Sequence, residues 1–278
     1  MTTTKIIAFV DILGFSKMIE DYDNGNHQIL ESLIHAMNNA GGFIKALPKE
    51  NNEFAFNFRE CIEAKLFSDC LCVSVPLEYG NEHNTYNLYD QFWFFYQYLS
   101  GYQILLLQKG IFTRGAITIG SYYSDENIIF SGGLVEAYNL ESKVANYPRV
   151  IISKKLLDVF KSSDLHNNWD YSQILNIDNT NEVYINPFNY RISTSQLADQ
   201  ILQEMMSKGG IEGLFNDSFQ EEDLRDKNVI LQEVLAICQN EINTDISDKV
   251  KDKYSWIIDF INYELSIDNS REFSQFKV

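Results

Sequence analysis

Three short stretches hold the residues with chemical potential. Phe9-Val10-Asp11-Ile12-Leu13-Gly14-Phe15-Ser16 ends an apolar, β-branched run on a carboxylate, and a glycine then turns the chain into helical text. Asp11 at that position can hold a divalent cation, while the amides around Gly14, Phe15 and Ser16 point at an anion from a helix N-terminus. Phe67-Ser68-Asp69 puts a second carboxylate at the tip of a turn between two short strands. Two carboxylates on neighbouring strands can hold a pair of Mg2+ or Mn2+ ions, the arrangement used for in-line attack at phosphorus. Arg114 falls in a stretch with strand alternation, followed by Gly115 and Gly120. An arginine inside a sheet points at an anion or a carboxylate. Each residue also has a plainer reading: a helix cap for Asp11, a turn residue for Asp69, an edge-strand ion pair for Arg114. Their conjunction in one order is what sets them apart.

The elements that must position them follow from periodicity. Lys5 to Ile12 reads as a buried strand, and helical text starts after Gly14. A second helix is predicted from about His27 to Ala46, with Ile29, Leu30, Leu33, Ile34 and Met37 at helical spacing, and 51–58 reads as a polar loop. Ala64 to Phe67 and Leu71 to Val75 form a hairpin with Asp69 at its tip. The apolar text from about Leu88 to Lys109 predicts an amphipathic buried helix, whose aromatic run Phe92 to Tyr98 is core beneath a sheet rather than a base-stacking platform. Phe112 to Ile119 and Tyr122 to Phe130 read as a second hairpin. Gly132 to Asn146 is a helix with Leu134, Ala137, Leu140 and Val144 on one face, followed by a strand at Val150 to Ser153 and a helix at Lys154 to Phe160. The order βααββαββαβ predicts an α+β fold, an antiparallel-containing sheet with helices on one face. After about residue 193 only helical text remains, at about 195–207, 218–240 and 247–266. The expected division is a catalytic domain at 1–190 and a helical extension at 191–278.

Composition narrows the partners. The chain has 278 residues, 22 Lys+Arg against 39 Asp+Glu, and a net charge of −17. That balance excludes broad nucleic-acid binding and disfavours an anionic membrane surface, both of which need basic footprints. With 45% hydrophobic residues the chain builds a real core. The N-terminal apolar run contains Asp11 and precedes no cleavage site, and no run of 18 apolar residues occurs, so a soluble cytoplasmic protein is expected. Cys61, Cys70, Cys72 and Cys238 lack framework spacing and read as reduced thiols, Cys70 and Cys72 in the core on one strand face. His27, His35, His83 and His166 show no metal-ligand spacing.

With those residues placed, the sequence resembles the class III nucleotidyl cyclases, whose fold is ferredoxin-like. FVDILGF matches the family's opening motif, KLFSD its Lys-x-x-x-Asp hairpin and TRGAITIG its Arg-x-Gly-Ile-x-x-Gly strand. SGGLVEAYNLES matches a later helix and RVIIS a strand, so the resemblance spans roughly residues 5 to 155. FSD, the AYxLE run and Tyr147-Pro148-Arg149 look closer to the bacterial pyrimidine cyclases of antiphage defence, the Pycsar type. The resemblance implies that Asp11 and Asp69 ligate two Mn2+ or Mg2+ ions with the Ile12 carbonyl. It implies that Phe15 and Ser16 give amides to the triphosphate and that Arg114 contacts a terminal phosphate. It further implies a head-to-tail homodimer with composite sites, acting on a nucleoside triphosphate, whose cyclic product opens an effector.

Two places depart from the family pattern. Lys65 keeps the base-reading lysine, but the opposing position aligns with Ile128, which cannot accept from an adenine amine. A pyrimidine is therefore favoured, UTP before CTP, with an adenylate or guanylate cyclase as the alternative. The family's transition-state Asn and Arg align with Val135 and Asn139, leaving Arg149 as a candidate for that charge. A non-catalytic nucleotide-sensing dimer module is the rival of another class.

Overall fold

The computed structural model describes residues 2–40, 61–80, 85–162, 174–189 and 227–267. The end of the predicted second helix, the 51–58 loop and the predicted helix at 195–207 lie outside them.

The elements run β1 (Thr3–Ile12), α1 (Phe15–Asp23), α2 (Gln28–Asn39), β2 (Glu63–Phe67), β3 (Cys70–Pro76), β4 (Tyr79–Gly80), β5 (Thr85–Tyr86) and α3 (Leu88–Leu107). They continue with β6 (Thr113–Ser124), β7 (Ile129–Phe130), α4 (Gly132–Lys143), β8 (Val150–Ile152) and α5 (Lys154–Ser162). Last come β9 (Leu175–Ile177), β10 (Val183–Ile185), a 3-10 turn at Pro187–Asn189, α6 (Lys227–Ile242) and α7 (Asp248–Ser266). The class is α+β. The main sheet has the order β2-β3-β1-β6-β8-β10-β9, with β7 folded back on β6. Only the β6–β8 pair is parallel among these neighbours.

β1 is central, so both of its faces are covered and its text is nearly continuous in apolar residues. Ile6, Ala8, Val10 and Ile12 face one way, into the main core with α3. Ile7, Phe9 and Asp11 face the other way. α3 starts from a capping box. Asn87 Oδ1 accepts from the amides of Tyr89 and Asp90, and Asp90 Oδ2 accepts from the Asn87 amide at 3.1 Å. The helix is buried on almost its whole circumference rather than on one stripe, because α2 and the 3-10 turn pack on the sides that the sheet leaves open. The amphipathic expectation is corrected accordingly.

α4 lies on the opposite face of the sheet from α3, so the helices are not confined to one face. Two glycines cause this. A Cβ at Gly120 of β6 would stand 2.6 Å from the Gly133 Cα, so helix and strand meet backbone to backbone. Ser131 caps α4 by accepting from the Leu134 amide at 2.9 Å and donates to the Ser121 carbonyl at 2.7 Å. Gly120 therefore does not end a strand as expected. β6 runs through to Ser124, and the hairpin turns at 125–128 instead. Gly120→Ala is expected to cost about 1–3 kcal/mol by forcing α4 outward. A urea midpoint equal to the wild type's would contradict this close approach.

β9 and β10 extend the sheet beyond the elements read from sequence. At three residues each they are too short to show a period. α6 and α7 pack side by side and bury Ile230, Leu231, Val234, Cys238, Ile257 and Ile261 against Ile104, Phe112 and Phe188. Trp256 of α7 stacks on Tyr147, with ring centroids 6.0 Å apart. Among the described residues, no helix is long and apolar enough to cross a membrane.

Candidate active site

Register assembles the site. In the antiparallel ladders Asp11 is directly opposite Cys70 on β3 and directly opposite Arg114 on β6. Directly opposed residues share a face, so Cys70, Asp11 and Arg114 form one row across three strands. This is the face that carries α4. From that helix the stripe Gly133, Ala137, Glu141, at spacing four, points into the sheet. Glu141 is only 3% exposed and its Oε1 lies 2.5 Å from Arg114 Nε, whose other carboxylate partner is Asp11 Oδ2 at 3.2 Å.

Asp69 joins the row from the hairpin tip. Ser68 takes φ of 56°, the positive value at the first central residue that a tight two-residue hairpin uses. The Ile12 amide then donates to the Asp69 carbonyl at 2.9 Å, tying the tip to the end of β1. Ligand atoms of Asp11, Asp69 and Cys70 all lie within 4.8 Å of one another. The Cys70 thiol stands 3.4 Å from Asp69 Oδ1 and 3.9 Å from Asp11 Oδ1. Cys70 is thus a neighbour of the carboxylates and not the core thiol that its alternation with Cys72 predicts. Cys72 is buried as expected.

The electrostatics are those of a site short of positive charge. Burial raises the Asp11 carboxyl above its usual range. The Arg114 guanidinium opposes that shift, and the Asp69 carboxylate adds to it. Burial likewise raises Glu141, again opposed by Arg114 and reinforced by Asp11. The Cys70 thiol is pushed up to about 12, first by burial and then by Asp69, so it is neutral. Three carboxylates face the Arg114 guanidinium, with Lys253 the further cation acting on Asp11 and Glu141, which leaves a charge excess that a divalent cation would relieve. The donor set of two carboxylates fits Mg2+ or Mn2+.

The other residues marked by the sequence occupy different stations. Ile12 ends β1 immediately beside Asp11. Phe15 and Ser16 open α1 behind Gly14, which takes φ of 79°, and no side chain caps that helix start. Its first amides consequently have no intrahelical acceptor, the arrangement that suits an anion. Lys65 reaches from β2 to the β6–β7 hairpin and donates to Ser124 Oγ and the Asp125 carbonyl, each at 2.6 Å. Ile128 is in that same turn and exposed. Val135 is 60% exposed, while Asn139 donates to the Val135 carbonyl at 2.8 Å and accepts from Lys143. Neither takes part in the carboxylate row. Arg149 leaves the site altogether. It is 2% exposed, paired with Asp178, bonded to Thr180 Oγ1 at 3.2 Å and stacked near Tyr147 and Trp256. The candidacy of Arg149 for transition-state charge is withdrawn on that packing.

Glu141 is the residue that sequence reasoning missed. The buried face of its helix is 133, 137 and 141 rather than 134, 137, 140 and 144, and two of those three residues are small. A Gly-x-x-x-Ala-x-x-x-Glu stripe was the available signal.

No protein-family model matches the chain, and no curated protein matches it. The solved structures with a partial likeness to it include three cyclase-related chains. A class III adenylyl cyclase-like ATP-binding protein from Pseudomonas aeruginosa matches 68% of this chain at 10% identity, with a TM-score of 0.42. A bacterial light-regulated adenylyl cyclase matches 73% at 14% identity and 0.37, and the guanylyl cyclase Cya2 matches 66% at 11% identity and 0.34. This chain spans 40% of the first, 57% of the second and 92% of the third. Likeness at this level says nothing of chemistry, which rests on the residues themselves.

Proposed function

We propose that the chain is a nucleotidyl cyclase. It converts a nucleoside triphosphate to the 3′,5′-cyclic monophosphate and diphosphate. The observation that carries this reading is the meeting of Asp11, at the end of β1, and Asp69, at the β2–β3 turn, within the reach of shared divalent cations and beside Arg114. In the reaction the ribose 3′-oxygen bonds to the α-phosphorus, the bond from that phosphorus to the β-bridging oxygen breaks, and the hydroxyl proton passes to solvent. Mn2+ or Mg2+ ions, two per site, would acidify that hydroxyl and shield the triphosphate. Asp11 and Asp69 hold them with the Ile12 carbonyl. The open amides of Phe15 and Ser16 receive phosphate oxygens, and Arg114 exchanges a carboxylate partner for a terminal phosphate.

The base is a pyrimidine in this reading, UTP before CTP. Lys65 supplies a donor for a carbonyl oxygen, and Ile128 offers no acceptor to an exocyclic amine. One observation favours a purine instead: Asp125 is in contact with Lys65 through its carbonyl, so an acidic residue stands in the opposing hairpin after all. Its carboxylate is engaged by the amides of Asn127 and Ile128 and by Tyr123, which keeps it from the base. Incubating the protein with each of the four triphosphates and Mn2+, and resolving products by chromatography, tests the reading. Cyclic UMP is the expected main product. Conversion of ATP alone would overturn the pyrimidine assignment, and no conversion at all would favour the non-catalytic sensor.

The working unit is a homodimer. Phe67, Ile128, Phe130, Val135 and Tyr138 are large, apolar and exposed around the site, the residue types that a second copy would cover. A Val135→Glu, Tyr138→Glu double variant is expected to sediment as a monomer and lose turnover. A dimeric, fully active double variant would contradict that interface. The cyclic product would serve as a second messenger that opens an effector in antiphage defence, the role carried by the resemblance to the Pycsar type.

A further inference from the structure

We infer that Lys253 of the C-terminal helix α7 belongs to the same site as Asp11 and Arg114, and that it binds the diphosphate end of the nucleotide. The inference rests on the cyclase reading for the identity of that anion. Its geometry comes from α7 itself. Trp256 and Phe260 of this helix pack with Ala116, Ala145, Ile151 and Tyr184, on the sheet face that also carries α4. Ala116 and Arg114 point to that same face of β6, two residues apart. Lys253 precedes Trp256 by three residues, so it shares the Trp256 stripe one turn nearer the helix start. The neighbouring Tyr254 packs edge-on against Phe112, two residues before Arg114, with ring centroids 5.9 Å apart. Docking the aromatic stripe of α7 on the sheet thus brings Lys253 toward the row of Asp11, Arg114 and Glu141.

The chemistry of that position is an anion's. Lys253 is half-buried, and among the described residues it makes no hydrogen bond or ion pair. The charges acting on it are Arg114, Lys249, Asp11 and Glu141. Burial, followed by Arg114 and Lys249, draws its ammonium below the usual lysine range, and the carboxylates of Asp11 and Glu141 oppose that shift, so the ammonium stands within electrostatic reach of the carboxylate row. Arg114 already shares two carboxylates, so it cannot alone carry the charge of a departing diphosphate. A second ammonium on the same face, held by no hydrogen bond among the described residues, supplies what Arg114 lacks. The helical extension is on this account a part of the site.

The test is isothermal titration of inorganic diphosphate, with Mn2+ present, into the full chain and into Lys253→Met and Lys253→Arg variants. The wild type is expected to bind, Lys253→Met to weaken binding about tenfold or more, and Lys253→Arg to stay within about twofold. Absence of binding by the wild type, or equal affinity in Lys253→Met, overturns the inference. Triphosphate turnover separates the two claims. An active enzyme whose diphosphate affinity ignores Lys253→Met leaves the cyclase standing without this residue. An inactive protein that binds diphosphate through Lys253 leaves the anion site standing without the cyclase.

Discussion

Asp11→Asn is expected to abolish cyclic-nucleotide formation while leaving the fold intact. The loss should exceed the roughly 10–100-fold that even an outer-shell partner of a metal costs. Asn keeps the shape and one oxygen but removes the charge that offsets a dication. Stability should not fall with activity. Burial disfavours the charged form of Asp11, and Arg114 keeps Glu141 as a partner when Asp11 is neutral. An Asp11→Asn protein that forms product at the wild-type rate would refute the role given to this residue. One that unfolds would show instead that the carboxylate is a structural partner of Arg114.

Phe92→Ala should produce the largest change in stability. Phe92 is fully buried in the main core, packed edge-on against Phe160 with centroids 4.8 Å apart and close to Phe95. Truncating a buried phenylalanine costs about 3–5 kcal/mol, against a total of about 5–15 kcal/mol for a typical fold. The site would suffer through its support. α3 fills the face of β1 opposite Asp11, and the register that aligns Cys70, Asp11 and Arg114 depends on that packing. A fall in the urea midpoint, with Mn2+ binding lost at a lower urea concentration than global unfolding, is the expected pattern. An unfolding free energy within about 1 kcal/mol of wild type would mean that the cavity closes at little cost.

Much of this site was legible because its parts are set locally. A carboxylate ending a β-branched run, a glycine turning into a helix, and an aspartate at a two-residue turn are features of neighbouring residues. The sequence places Asp11, Gly14 and Asp69 on the elements where the structure has them. What was not legible is set by register and docking. Nothing in the text pairs Asp11 with Cys70 rather than Cys72, and a slip of one residue would turn Cys70 away from the carboxylates. Glu141 was hidden because leucines suggest a helix face, whereas glycine and alanine decided it by letting α4 lie close on β6. Lys253 is remote from Arg114 in the chain, and only the docking of Trp256 brings it near. Arg149 misled for the opposite reason: a lone arginine before a strand resembles an anion ligand, but aromatic neighbours and Asp178 enclose it.

Mn2+ binding followed by electron paramagnetic resonance examines the shared carboxylates without depending on which base is used. The free-ion signal should fall as wild-type protein is added. Asp11→Asn and Asp69→Asn should each leave it nearly unchanged, because neither carboxylate alone holds the ion. If both variants take up Mn2+ as well as the wild type does, the two aspartates are not a metal centre.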